Sequence, residues 1–138
     1  MIVHEDILIA IAEELAALSP LNCYFNIKTH RFYMIPSQES EDWTEMAGYS
    51  DALSIINSDL PNFIILDPPF PYQKFDFMQA FAEQIGDEGI KQALTQPKPF
   101  RHFKQALRDL GGDMIRQWGK FEVDCHVDYI KQLLSKYN

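Results

Sequence analysis

The chain has 138 residues and a mass of 16.0 kDa, the size of one domain with a substantial core. Hydrophobic residues make up 46% and charged residues 23% of it, which argues against disorder. The formal charge of −8 argues against bulk nucleic-acid binding, and no apolar run reaches the ~18 residues of a membrane span. Cys23 and Cys125 fit a reduced cytoplasmic compartment better than a disulfide framework, and the acidic start is unlike an export signal.

The first part of the chain predicts an amphipathic helix followed by a β-hairpin. Apolar residues recur at spacings of three and four over about 2–18, and Ser19-Pro20 ends this helix because the residue before proline avoids the helical region. Alternating residues over 22–35 predict two strands joined by a turn. In that turn Asn26 can bond its own downstream backbone, and a residue near His30 takes positive φ.

Prolines and apolar runs mark the next elements. Pro36 removes a backbone donor and closes the second strand at a sheet edge. The apolar run 62–67, bounded by Pro61 and by Pro68-Pro69, predicts a third strand. Between Pro36 and Pro61 a weaker helical spacing predicts a helix, which is clearest over 50–58. The residues that carry this spacing are Trp43, Met46, Ala47, Leu53 and Ile56.

The second half of the chain predicts helices only. The first has an apolar stripe made of Phe75, Met78, Phe81, Ala82 and Ile85. Asp87 caps a short helix, Pro99 occupies the first turn of the next one, and Gly111-Gly112 ends it. Asp113 caps a final helix that runs towards Tyr137. The side chains expected to face inward in these last two helices are Phe100, Phe103, Leu107, Leu110, Trp118, Phe121, Cys125, Val127, Ile130 and Leu134.

These elements predict an α+β fold in a single domain, 1–138. An antiparallel sheet of about three strands is covered by the N-terminal helix and by the helical C-terminal half. Because side chains alternate along a strand, Tyr24 and Tyr33 share one face of the sheet. The opposite face carries Phe25, Phe32 and Met34.

Two aromatic features are candidate binding elements. Exposed tyrosines at positions 24 and 33 can stack bases or anchor a protein partner, unless a helix covers them and leaves only the hydroxyls at the rim. The segment Asp67-Pro-Pro-Phe-Pro-Tyr72 is typical either of a rigid connector between a strand and a helix or of a polyproline-like docking element.

The charges are segregated along the chain. Between Phe32 and Gln73 there is no Lys, Arg or His, and the acids there, which carry −7 of the −8, are Glu39, Glu41, Asp42, Glu45, Asp51, Asp59 and Asp67. Between Gly89 and Arg108 there is no acid, and a charge of +5 comes from Lys91, Lys98, Arg101, Lys104 and Arg108. On a helix, Arg101, Lys104 and Arg108 form one stripe at i, i+3 and i+7, called here the basic face.

Three interpretations of the basic face stay open on the sequence alone. It is a solvated helix face, as charge runs usually are. It lies near the acidic middle segment, although exposed pairs of this kind are individually worth only ~0–1 kcal/mol. Or it binds a phosphate-bearing or acidic partner.

The sequence carries no recognisable catalytic or cofactor motif. Adjacent helical residues point about 100° apart, so Cys125 and His126 cannot form a dyad with each other. Cys125 and Cys23 are therefore predicted to be small core residues. The four histidines and the two cysteines show no metal-ligand spacing, and no phosphate-binding glycine loop is present, so no catalytic residue, metal or cofactor is predicted.

Three spaced motifs in the C-terminal half form a distinctive pattern. They are Phe75-x-x-Met78-x-x-Phe81, then Pro99-Phe100-Arg101-His102-Phe103-Lys104, then Trp118-x-x-Phe121, with Tyr24, Asn26 and Thr29 of the hairpin as a looser match. With them the chain resembles a family of small bacterial proteins of uncharacterised function. It departs from that family at three places. His30 stands where the family has a turn glycine, Lys98-Pro99 where it has small and glycine residues, and His102 where it has an arginine. The resemblance implies a bacterial cytoplasmic domain with Phe100 and Phe103 in the core and Arg101 and Lys104 on the surface, and it transfers no catalytic residue.

The sequence therefore predicts a non-enzymatic binding or regulatory module. Its predicted binding residues are Arg101, Lys104 and Arg108 on the basic face and Tyr24 and Tyr33 on the sheet. A protein or another anionic partner is expected, nucleic acid is disfavoured by the net charge, no membrane partner is expected, and self-association is left open. The alternatives are an enzyme acting on a small polar or phosphorylated substrate, with Arg101 or Lys104 holding the anion, and a weak nucleic-acid-binding regulator.

Overall fold

The structure, a computed structural model, describes residues 1–17, 21–36 and 48–137. Its helices and strands are, in chain order, α1 (Glu5–Ala16), β1 (Leu21–Asn26), β2 (Phe32–Pro36), α2 (Ser50–Ser58), β3 (Phe63–Leu66), α3 (Pro71–Ile85), α4 (Glu88–Ala93), α5 (Pro99–Leu110) and α6 (Gly112–Leu134). Short 3₁₀ turns occupy Leu60–Asn62 and Ser135–Tyr137. The predicted α+β class is confirmed. The predictions for Ser19-Pro20 and for Trp43, Met46 and Ala47 lie outside the described residues.

The sheet has three antiparallel strands in the order β2-β1-β3, with β1 in the centre. Tyr24 of β1 lies opposite Tyr33 of β2 and Ile65 of β3, so the two tyrosines share a face as predicted. Phe25 lies opposite Phe32 on the other face, and Pro36 is the last residue of an edge strand. Both of these predictions are also confirmed.

The hairpin turn has the predicted chemistry. The Oδ1 atom of Asn26 accepts hydrogen bonds from the backbone N–H groups of Lys28, at 2.8 Å, and Thr29, at 3.0 Å. His30 has a φ of 61°, and its N–H donates to the carbonyl of Asn26 at 2.8 Å. Its ring also stacks on Phe25, with the centroids 5.8 Å apart. Asn26 is buried, and its side chain is satisfied by these bonds and by Asp59.

The chain divides into two compact units, and the boundary between them falls inside α6. One unit contains Met1–Pro68 and His126–Asn138, and the other contains Pro69–Cys125. The sequence expectation of one domain over the whole chain stays a prediction. None of the helices in the described ranges combines the length and the apolar character needed to span a bilayer.

The first unit buries one face of the sheet. Cys23 and Phe25 of β1 are fully buried. The other buried apolar residues of this unit are Leu8, Ile11, Ala12, Leu15, Ile35, Ile56, Leu66, Val127, Ile130 and Leu134. His126 is also fully buried, a position that the sequence did not indicate. Cys125, which ends the other unit, is half-buried, so its predicted place inside the core is only partly correct.

The second unit is built on an aromatic cluster. Phe103 of α5 meets Trp118 of α6 edge-on at 4.9 Å, and Phe81 of α3 meets the same indole at 5.4 Å. Phe121 lies 5.3 Å from Phe81. The other buried members are Met78, Ala82, Ile90 and Leu107. These residues match the predicted inward stripes of α3, α5 and α6.

Two predictions about the ends of α5 are wrong. Phe100 is 38% exposed and Leu110 is 46% exposed, whereas both were expected to face inward. They lie at the two ends of the helix, where a side chain has fewer neighbours, and only the middle of the apolar stripe, Phe103 and Leu107, is covered. Burial of Phe100, which the family resemblance implied, is therefore also wrong.

The start of α6 differs from the prediction as well. Asp113 does not cap this helix, because α6 already begins at Gly112. The carbonyl of Gly111 accepts the N–H of Ile115, so Gly111 ends α5 and starts α6. Its φ of 106° is a conformation that glycine adopts without strain. Asp113 instead pairs with Arg116 in the first turn.

Candidate binding surface

The core of the second unit fixes the orientation of the basic face. Phe103 and Leu107 are buried, so the sides of α5 away from them are turned outward, and the basic face lies one residue, about 100°, round the helix from this buried stripe. Arg101, Lys104 and Arg108 are all exposed there, as predicted. At 1.5 Å per residue, three cations at i, i+3 and i+7 extend over about 10 Å of helix. The sequence thus places a short row of positive charge on a helix whose rotation the core determines.

The described acids form no direct ion pair with the basic face, although Glu122 interacts electrostatically with Lys104. None of the ion pairs between described residues includes Arg101, Lys104 or Arg108. Arg108 donates to the side-chain oxygen of Gln105 at 2.9 Å, and Gln105 donates to Asp109 at 2.9 Å. Whether the acidic middle segment meets this face is left open, because Glu39, Glu41, Asp42 and Glu45 lie outside the described residues.

One carboxylate does belong to the surroundings of the basic face. Glu122 of α6 is half-buried, and desolvation raises the pKa of its carboxyl, while Lys104 and Lys74 act in the opposite direction. The charges of Lys74 on α3 and Lys104 on α5 are therefore close enough to Glu122 to affect its ionisation. The ring contact between Phe75 of α3 and Phe100 of α5, at 6.5 Å, brings these two helices together in this unit. The sequence did not indicate the role of Lys74 or Glu122.

Aromatic rings are exposed at the beginning of α3. Phe70 is 62% exposed and Tyr72 is 67% exposed, and their rings stack at 6.0 Å with an angle of 10° between planes. Proline flanks both residues, at 69 and 71, which restricts the backbone before binding. The side-chain oxygen of Gln73 accepts the N–H of Phe70 at 2.8 Å, which further fixes the first turn.

Phe100 connects α3, the helix that begins with these rings, to the basic face. It is 38% exposed, and its ring lies 6.5 Å from that of Phe75 on α3. Since Phe100 and Lys104 are four residues apart on α5, they are neighbours on the helix surface. The group formed by Phe70, Tyr72, Phe100, Lys74 and the basic face is called here the aromatic–basic surface.

The second predicted binding element, the tyrosine face of the sheet, is in the first unit. Tyr24 and Tyr33 are each half-buried, and the ring of Phe63 lies 6.1 Å from that of Tyr33. Ile65, in the same row, is 49% exposed. This face offers less exposed aromatic surface than Phe70 and Tyr72 do, and it carries no cation in its central row.

Two cavities in the described part of the chain do not assemble a catalytic group. A cavity of about 240 Å³ in the first unit is lined by Met1, Ile2, Val3, Leu8, Lys131, Leu134 and Ser135. Another, of about 530 Å³ in the second unit, is lined by Gln79, Ala80, Ala82, Glu83, Lys91, Leu94 and Thr95. Neither one contains a residue of the basic face. Over the described ranges, no three His, Cys, Asp or Glu side chains are grouped so that they could hold a metal ion.

The thiol of Cys23 is expected to be chemically inert in the folded protein. Burial, with a smaller contribution from Glu14, raises its pKa to about 12, and only the thiolate is a good nucleophile. In a Cys125→Ser variant at pH 8, we expect iodoacetamide to label Cys23 at least 100-fold more slowly than it labels the urea-unfolded chain. Mass spectrometry of timed samples measures this ratio. Labelling of the folded protein at the unfolded rate would show that the β1 core is open.

Comparison of the chain with protein-family models, with curated proteins and with solved structures gave no match.

Proposed function

We propose that this chain is a non-enzymatic binding module that docks an anionic partner on the basic face. The observation that carries the proposal is the exposure of Arg101, Lys104 and Arg108 in one row, without an acid paired to any of them among the described residues. A rigid, exposed row of cations is a suitable surface for carboxylates or phosphates. The two cavities of about 240 Å³ and 530 Å³ do not include a residue of this row.

Most cations of α4 and α6 differ from the basic face in having a carboxylate partner, and this contrast supports a docking role for α5. Four cations of α4 and α6 have a carboxylate partner: Lys91 with Glu88, Arg116 with Asp113, Lys120 with Asp124, and Lys131 with Glu5. On α5, like charges follow one another at i, i+3 and i+4 spacing, which destabilises a helix by a few tenths of a kcal/mol per pair. An anionic partner would remove that repulsion when it binds.

The cytoplasmic location and the membership of a bacterial family are part of this proposal. The chain has only two cysteines, and Cys23 is a buried thiol, a usage that supports a reducing compartment. The family membership is supported only by the motifs around Phe75, Phe100 and Trp118.

The proposal is tested with a charge-matched pair of variants. One variant replaces Arg101, Lys104 and Arg108 with glutamine, and the control replaces Lys28, Arg31 and Lys136, which are also exposed, with glutamine. The probe is a fluorescent oligoglutamate peptide, titrated by anisotropy at about 50 mM salt, where exposed charges are weakly screened. We expect the first variant to bind at least tenfold more weakly, because three exposed charge contacts worth ~0.5 kcal/mol each sum to about one decade of Kd.

The control variant is expected to retain the affinity of the wild type within about twofold. Equal losses in both variants would assign the binding to net charge and would contradict docking on α5. If only the Lys28, Arg31 and Lys136 variant lost affinity for oligoglutamate, the binding site would lie outside the basic face and the proposal would be wrong. The thermal melts of all three proteins, followed by circular dichroism, must coincide for the comparison to hold.

A further inference from the structure

We infer that the partner of the aromatic–basic surface is an acidic peptide segment that carries an aromatic or large aliphatic side chain. The apolar side chain packs against Phe70, Tyr72 and Phe100, and the flanking carboxylates pair with the basic face. The inference rests on the proposed function and adds to it the chemical class of the partner.

The exposed rings are the first reason. Phe70 and Tyr72 keep more than half of their surface in contact with water, although the same unit buries Phe81 and Phe103 completely or nearly so. Their stacked arrangement is held by the two neighbouring prolines and by the bond from Phe70 to Gln73, so little conformational freedom is lost when a partner binds. Aromatic residues and arginine are enriched among the residues that contribute most of the binding energy in protein interfaces.

The second reason is that rings and cations share one surface. The contact of Phe75 with Phe100 brings the beginning of α5 against α3. Lys74 lies one helical turn after Phe70, and its backbone N–H donates to the carbonyl of Phe70 at 3.0 Å. The electrostatic effect of both Lys74 and Lys104 on Glu122 agrees with this contact between α3 and α5. A single short segment can therefore contact the rings and the basic face at once.

The third reason concerns the class of polymer. The carboxyl of Glu122 interacts electrostatically with Lys104 and Lys74, and the whole chain carries −8. A nucleic-acid strand has a negative charge on every nucleotide and would meet repulsion at Glu122. A peptide can present a neutral or apolar residue there and keep its acids for Arg101 and Arg108. The cations also lie on an exposed helix side and are few, whereas single-stranded nucleic acids are bound by long positive grooves.

The test uses three probes of similar length with the full chain: oligoglutamate, the same peptide with one central tryptophan, and an oligothymidylate. We expect the tryptophan peptide to bind about tenfold more tightly than oligoglutamate, which corresponds to 1.4 kcal/mol. In Phe70→Ser and in Tyr72→Ser this advantage falls below about threefold, while the affinity for oligoglutamate stays the same. Tyr72→Phe, which keeps the ring, retains the advantage, and Tyr137→Ser, at a tyrosine of the other unit that is 45% exposed, leaves it unchanged.

The outcomes separate the inference from the proposed function. If both peptides bind equally and depend on the basic face, the anionic docking function stands and the apolar anchor is wrong. If neither peptide binds, both proposals are overturned. If oligothymidylate binds more tightly than the tryptophan peptide, the partner is a nucleic acid and the inference is wrong. An advantage that survives in both serine variants would also overturn it.

Discussion

Replacing Phe103 with alanine is expected to lower the free energy of unfolding by about 3–5 kcal/mol, the range for removing a large buried aromatic side chain. Phe103 has no exposed surface, and its ring meets Trp118 at 4.9 Å and Phe81 at 6.3 Å. The variant leaves a cavity in the middle of the aromatic cluster and removes both edge-on contacts. Urea denaturation followed by circular dichroism measures the loss.

Phe100→Ala is the matched control on the same helix. Its ring is 38% exposed and contacts Phe75 at 6.5 Å, so we expect a loss of about 1 kcal/mol or less. The comparison reports on the rotation of α5, and therefore on the direction of Arg101 and Lys104. If the two variants lost the same free energy, Phe103 would not be the inward residue, and the basic face would not point into solvent as described.

The boundaries of α5 could be predicted from the sequence because the residues at its two ends determine them. Pro99 has no N–H to leave unpaired in a first turn, and Gly111 adopts the positive φ that ends the helix. The hairpin was readable for the same kind of reason: Asn26 bonds its own turn, and His30 takes the left-handed conformation. By contrast, the sequence contains no local signal that places β3 beside β1, because that pairing depends on contacts about 40 residues apart.

The candidate site was predictable only in its charged half. The i, i+3, i+7 spacing of Arg101, Lys104 and Arg108 needs nothing beyond helical geometry. Exposure of Phe100 could not be predicted, because periodicity gives the direction of a side chain and not how far the neighbouring helices extend over it. The proximity of Lys74 and Glu122 depends on the packing of α3 and α6, which a helical pattern does not determine.

Asn26 shows how a polar residue comes to be buried in a small sheet. Its amide nitrogen donates to Oδ2 of Asp59 at 2.9 Å, and Asn62 donates to Oδ1 of the same carboxylate at 2.8 Å. The N–H of Ile27 donates to the carbonyl of Asn62 at 2.8 Å. Asp59 thus connects the hairpin turn to Asn62, the residue before β3. The sequence alone identifies Asp59 only as one of the seven acids of the middle segment.

Asp59→Ala is accordingly expected to lower the free energy of unfolding by about 2–4 kcal/mol. It removes two hydrogen bonds to a charged acceptor, which are worth ~1.5–3 kcal/mol each at most because both are only partly buried, and it leaves the buried amide of Asn26 without that partner. Asp51→Ala, at an exposed acid of α2, changes the net charge equally and is expected to stay within ~0.5 kcal/mol of the wild type. Urea denaturation of the wild type and the two variants measures their free energies of unfolding. If Asp59→Ala changed the free energy of unfolding by less than about 0.5 kcal/mol, strand pairing and burial alone would hold β3 beside β1. The carboxylate of Asp59 would then contribute as little as that of the exposed Asp51.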